Sequence, residues 1–105
     1  MAGKTIMLAC SAGMSTSMLV SKMKQTAESE GKDYKIFAIA TSSVDHSLEA
    51  EHPDVLLLGP QVAYMQNEIK KKTDRAGIPL AVISMKDYGM MDGKSVLHFA
   101  ETLIK

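Results

Sequence analysis

With 105 residues, 46% of them hydrophobic and 23% charged, the chain has the size and balance of one globular domain that buries roughly two-thirds of its unfolded surface without staples. Twelve basic residues offset twelve acidic ones, so no net field draws in nucleic acid or an anionic membrane from a distance. A single cysteine cannot pair within the chain, and no stretch reaches the ~20 apolar residues of a membrane span or resembles a signal peptide, so a cytoplasmic protein without a membrane span of its own is expected.

The first apolar run, TIMLA at 5–9, is too short for a helix, and its near-continuous apolar character suits a strand buried on both faces. Residues 15–30 place Leu19, Met23, Thr26 and Ala27 on one helical face and stop at Gly31, a natural left-handed terminator. KIFAIA at 35–40 reads as the second strand. Val44 and Leu48 then indicate a short helix within 41–52, capped by Ser42 or Ser43. DVLLLG at 54–59 is the third strand. The segment 60–76 begins with Pro60 at a tolerated first-turn position, aligns Val62, Met65 and Ile69, and ends in Gly77 with Pro79 beyond. PLAVIS at 79–84 makes the fourth strand, and Val96, Leu97, Ala100, Leu103 and Ile104 make 92–104 a closing amphipathic helix. This alternation predicts a single α/β domain over 1–105: an open four-stranded parallel sheet with right-handed crossovers and helices on both faces. Nine methionines against two phenylalanines add an adaptable core or contact surface.

Ligands of an open parallel sheet bind beyond the carboxyl ends of its strands, where the chain order switches direction. The run MLACSAGMSTSMLV, 7–20, crosses that edge and sets Cys10 at the bottom of a concave loop. Gly13 and the small Ser11 and Ala12 let the backbone curl so that successive N–H groups point inward as a nest for oxygens. Ser15 is placed to cap the next helix, whose first turn carries a partial charge of about +0.5. That field makes thiolate available near neutral pH, and Ser11, Ser15, Thr16 and Ser17 supply further donors. A thiolate beside an anion hole of phosphate size is a phosphoryl acceptor. The same residues admit a plainer arrangement, a core cysteine ending a strand and serines capping a helix. Cysteine phosphatases carry C-x5-R-[ST], with the arginine clamping the phosphoryl group. Here the sixth residue after Cys10 is Thr16, followed by Ser17, and the chain's one arginine, Arg75, falls near a helix end with a salt-bridged surface role. Without the clamp, transfer to water loses stabilisation, so such a loop can hold a phosphocysteine and pass it on.

CSAGMSTSMLVSKM at 10–23 and DVLLLGPQVAYM at 54–65 resemble the cytoplasmic enzyme IIB of the lactose, cellobiose and chitobiose branch of the bacterial phosphoenolpyruvate-dependent sugar phosphotransferase system (PTS), and the resemblance spans essentially the whole chain. It implies the fold of low-molecular-weight tyrosine phosphatases, with strand order 2-1-3-4. It implies a phosphotransferase that takes a phosphoryl group from a histidine of enzyme IIA onto a cysteine and donates it to a sugar carried inward by membrane enzyme IIC. Cys10 matches the phosphorylated cysteine, and Ser11, Ala12, Gly13, Met14, Ser15, Thr16 and Ser17 match the phosphate-binding loop. No cofactor or metal is implied. A β-linked disaccharide such as cellobiose or chitobiose is expected over lactose, because lactose-branch IIB is often fused to its membrane partner and this chain stands alone. A lactose-specific IIB and a small cysteine phosphatase are the alternatives.

Gln61 and Tyr64 are placed to border either the phosphate site or the partner surface, and Met14, Met18 and Met65 are candidates for a soft apolar rim that meets IIA and IIC in turn. Gly59 and Pro60 read as a strand-to-helix turn at the carboxyl end of the third strand, beside the cysteine loop in this topology. His46, His52 and His98 lack metal-ligand spacing and are assigned surface or structural roles. Asp92 suits a helix start, and Asp87 stands where a phosphatase would keep a general acid, although a carboxylate there would repel a phosphocysteine. The lysines at 70–72 suit a solvated helix end. Cys10 is expected to face a solvated loop, so that its replacement by alanine leaves the fold intact.

Overall fold

The computed structural model describes residues 3–11 and 14–104. Its strands are β1 (Thr5–Cys10), β2 (Lys35–Ala40), β3 (Val55–Leu58) and β4 (Leu80–Val82). Its helices are α1 (Met14–Ser29), α2 (Val44–Glu51), α3 (Gln66–Ala76), α4 (Met85–Gly89) and α5 (Gly93–Leu103). The sheet runs β2-β1-β3-β4 with every neighbouring pair parallel, the expected order. The chain moves from β1 to one side and then crosses to the other, so the switch point falls between β1 and β3.

Successive strand residues face opposite sides of a sheet, and β1 buries both. Ile6 and Leu8 pack with Leu19, Val20 and Met23 of α1 and with Val96, Leu97 and Ala100 of α5. Met7 and Ala9 join Val44 and Leu48 of α2 and Val62 and Ile69 on the other face. β3 is divided in the same way, Val55 and Leu57 against Leu56 and Leu58, all without exposure. Each of the larger side chains contributes roughly 1.5–3 kcal/mol by leaving water, which is why residues 6–9 in β1 and all of β3 carry no polar side chain. The anticipated helical stops also hold: Gly31 and Gly77 adopt φ of +70° and +73°, a left-handed conformation that glycine takes without strain.

Four details differ from the sequence-based expectation. The segment 60–76 is not one helix: Pro60–Met65 forms a 3-10 turn in which Val62 (φ −114°, ψ 21°) leaves helical geometry before α3 begins. The tighter turn bonds Val62 N–H to Gly59 O at 3.0 Å and drives the valine side chain into the core. α1 already includes Met14, so Ser15 stands inside its first turn rather than ahead of it. Ser43 occupies the N-cap position of α2 without a side-chain capping bond. Finally, the one-turn α4 was not anticipated; Ser84 caps it by accepting a hydrogen bond from Asp87 N–H at 3.1 Å, and Tyr88 anchors it in the core.

At the edge of the sheet where the strands begin, a polar cluster ties the end of α1 and the approach to β2 onto α5. Lys32 Nζ lies 2.7 Å from Glu30 Oε1 and 2.7 Å from Glu101 Oε2, Tyr34 donates to Glu101, and His98 Nε2 meets Glu30 Oε2 at 2.8 Å. No helix among the described residues is long and apolar enough to cross a membrane.

Candidate functional site

The alternation along β1 directs Cys10 to the side of Ile6 and Leu8, the side that α1 covers. Its Sγ lies 3.2 Å from Thr16 Oγ1 in the first turn of that helix. Cys10 is 2% exposed and Thr16 is fully buried, so the expected solvated thiol is instead an enclosed one, directed under the helix rather than out into the loop. The positive end of the helix dipole therefore stands beside the sulfur, together with a hydroxyl able to donate to it; both favour thiolate, against the enclosure, which favours the neutral thiol. The loop hydroxyls divide by direction: Thr16 is enclosed, whereas Ser11 and Ser17 are exposed. Ala12 and Gly13, and the side chains of Met14 and Ser15, lie outside the described residues.

The second wall is the exit of β3. Gly59 N–H donates to Ala9 O at 2.9 Å, and Pro60 opens the following turn, as anticipated. A methyl group on Gly59 would lie 3.0 Å from Gln61 Oε1, 3.5 Å from Cys10 Cβ and 3.7 Å from Ala9 O. The glycine thus brings the two strand exits together, in keeping with the expected position of this turn beside the cysteine loop.

Around this site the apolar surface is larger than the sequence suggested. Met18 (61%) and Tyr64 (81%) are exposed, and so is Gln61. Met65 is half-buried against the Met7 cluster and belongs to the core more than to the rim. Met85 (77%) and Met90 (69%) flank α4 beyond the carboxyl end of β4, on the same edge as Cys10, and were missed. Their only signal was negative: two methionines after a strand that fit neither a period of two nor one of 3.6.

The remaining candidates lie elsewhere or serve the fold. Arg75 is in the last turn of α3, which leads back to the starting end of β4 and so lies at the far edge from Cys10. Asp87 occupies the first turn of α4. Asp92 caps α5 as expected, accepting from Ser95 N–H at 3.1 Å and from its hydroxyl at 2.8 Å, and these bonds hold its carboxyl below the ordinary value. Lys70 pairs with Asp74 and Lys72 with Asp45 on the exposed side of α3. His46 and His52 are exposed. His98, Glu30 and Glu101 bring one potential ligand atom each within 4.8 Å of one another, a grouping their spacing had not disclosed. The Lys32 ammonium already bridges both carboxylates there, so the cluster carries its own cation.

The family described as the lactose/cellobiose-specific IIB subunit of the PTS matches residues 5–99. The chain belongs to this IIB family. This IIB chain is 57% identical over 107 residues to the cellobiose-specific EIIB component of Lactococcus lactis subsp. lactis (strain IL1403), with 99% of each chain covered. It has the same identity and coverage with the galactose-specific EIIB component of Lactococcus lactis subsp. cremoris (strain MG1363). It also shares 36% identity and a TM-score of 0.81 with the solution structure of a cellobiose-specific phosphotransferase IIB component from Borrelia burgdorferi, across 98% of this chain and 93% of that one. IIB components are phosphotransferase components of sugar uptake and work with IIA and IIC partners.

Proposed function

We infer that this IIB protein carries a phosphoryl group on Cys10, received from a phosphohistidine of IIA and delivered to a β-linked disaccharide of the cellobiose or chitobiose type at IIC, on the cytoplasmic face of the membrane. The observation that carries the reading is the enclosed Cys10–Thr16 pair at the N-terminus of α1, at the switch point of the sheet. In the first transfer the thiolate attacks phosphorus in line. A P–S bond forms as the P–N bond breaks, and the bonding pair stays on the imidazole nitrogen. The second transfer reverses the roles: a sugar hydroxyl oxygen attacks the same phosphorus, the P–S pair returns to Cys10 as thiolate, and the hydroxyl proton passes to solvent. Both steps need positioning and preorganised donors rather than a further reagent.

The backbone N–H groups of Ser11 to Ser17, with the first turn of α1, are assigned to the equatorial oxygens, and the Thr16 hydroxyl to the sulfur. Neutral donors of this kind hold a phosphocysteine, whereas a bidentate arginine would also stabilise its transfer to water, and the one arginine of the chain is at the far edge. Met18, Gln61 and Tyr64, joined by Met85 and Met90, form the face that meets IIA and IIC in turn. The choice of a β-linked disaccharide is supported by cellobiose-specific relatives.

Intact mass over time after mixing with phosphorylated IIA tests the reading, with Cys10→Ser as control. A persistent adduct of one phosphoryl group on the wild type alone is expected. No adduct, or steady release of phosphate to water, overturns the carrier role, the latter in favour of a small cysteine phosphatase; transfer to lactose in preference to cellobiose and chitobiose overturns the sugar assignment.

A further inference from the structure

The Gln61 side chain belongs to an exposed residue, yet its carboxamide folds back over the backbone: Oε1 lies 3.0 Å from the point that a Gly59 Cβ would occupy, and Cys10 Cβ lies 3.5 Å from that same point. The missing side chain at position 59 is therefore what leaves Gln61 a path to the cysteine. Gly59 does not need to be glycine for its backbone, since its φ is −63°. Among the described residues nothing hydrogen-bonds the carboxamide, and a half-turn about its last bond exchanges Oε1 for the N–H donors at the same place. We propose that Gln61 is a phosphoryl-contacting residue, whose carboxamide reaches across the space left open by Gly59 and donates a hydrogen bond to the phosphoryl group on Cys10. This rests on the phosphocysteine reading above and adds a side-chain donor from the β3 exit, opposite the α1 loop. A neutral donor suits a carrier, because it stabilises the dianion without the charge that would also favour loss to water.

Gly59→Ala isolates the contact. Of the three nearest atoms only Gln61 Oε1 is tight at 3.0 Å, and it is the far end of a flexible side chain; Cys10 Cβ at 3.5 Å and Ala9 O at 3.7 Å are ordinary contacts. An alanine at 59 thus displaces the carboxamide and leaves the cysteine in place.

The experiment is a phosphorus NMR titration of the full chain, phosphorylated by IIA and then freed of it, so that a role of Gln61 in docking the partner does not enter. A hydrogen bond to the dianion lowers the second ionisation of the phosphoryl group, and its loss raises it. Gln61→Ala is expected to raise the titration midpoint by about 0.5 to 1 unit. Gly59→Ala is expected to do the same, and the double variant to go no further than the larger single shift. Midpoints within about 0.2 unit of wild type for Gln61→Ala overturn the proposal, as do single shifts that add in the double variant. If Cys10 accepts no phosphoryl group at all, the carrier reading fails and this inference falls with it; if phosphocysteine forms and the midpoint does not move, only this inference falls.

Discussion

Thr16→Val removes the hydroxyl that faces Cys10 while keeping almost the same volume in a site with no solvent exposure. The oxygen–sulfur distance of 3.2 Å is full contact for this pair, and enclosure of both groups leaves little water to substitute for a lost donor. A hydrogen bond to a charged group contributes about 1.5–3 kcal/mol, and sulfur's diffuse charge favours the lower end. About 1.4 kcal/mol is a factor of ten, so at pH values below both thiol titrations the variant holds roughly ten-fold less thiolate, and its alkylation by iodoacetamide there slows by about that factor. Stability changes less: with the thiol protonated the bond contributes ~0.5–1 kcal/mol, partly offset by the buried methyl group, so Tm shifts by no more than about 4 °C. Alkylation kinetics across pH, with circular dichroism on the same samples, separate the two effects. A variant that keeps its fold and alkylates within roughly two-fold of wild type would refute the assignment of Thr16 as the donor that supports the thiolate.

Gly93 begins α5 against α1, and an added Cβ would lie 2.6 Å from Lys22 C and 2.7 Å from Met23 N, backbone atoms that cannot step aside; Gly93→Ala is expected to cost about 2–3 kcal/mol and lower Tm by roughly 10–20 °C, and a fall under about 4 °C would show that the helices slide freely. The Glu101 carboxyl is pushed up by partial burial, but hydrogen bonds from Lys32 and Tyr34 outweigh this and hold it below its ordinary value. Its contribution is therefore complete above the unfolded carboxyl range and is lost as pH falls through the lowered folded value, so Glu101→Gln should flatten the acid side of the Tm profile below about pH 4.5; a profile parallel to wild type would count against the cluster as an acid-sensitive clasp. Tyr64→Ala truncates the most exposed large side chain at the site edge and should slow phosphorylation by IIA by about ten-fold while leaving Cys10 alkylation unchanged; equal loss in both assays would place Tyr64 in the site rather than on the docking face.

Several features of the fold are legible along the chain because they follow from local rules. The continuous apolar runs of β1 and β3 leave no position for solvent, so two covered faces and a parallel sheet are dictated by composition alone. Gly31 and Gly77 end their helices because few other residues take a left-handed φ without strain. The position of Cys10 at the end of the first strand was recognisable too, because the apolar run stops there and small polar residues follow. The tertiary structure decided everything that depends on residues far apart in the chain. α4 escaped notice because one turn has no period to detect, and the break at Val62 arises from burying that side chain beside Met7 and Leu58 rather than from any breaker residue. Lys32, Glu30, Glu101, Tyr34 and His98 meet only because α5 returns along α1. At the site, a six-residue spacing could not tell whether Thr16 faces water or sulfur, and a strand order that sets the turn at Gly59 beside the cysteine loop does not say how closely the two approach. The parity of β1 and the parallel pairing of β1 with β3 settle both, since only the packed sheet turns two distant strand exits into one wall.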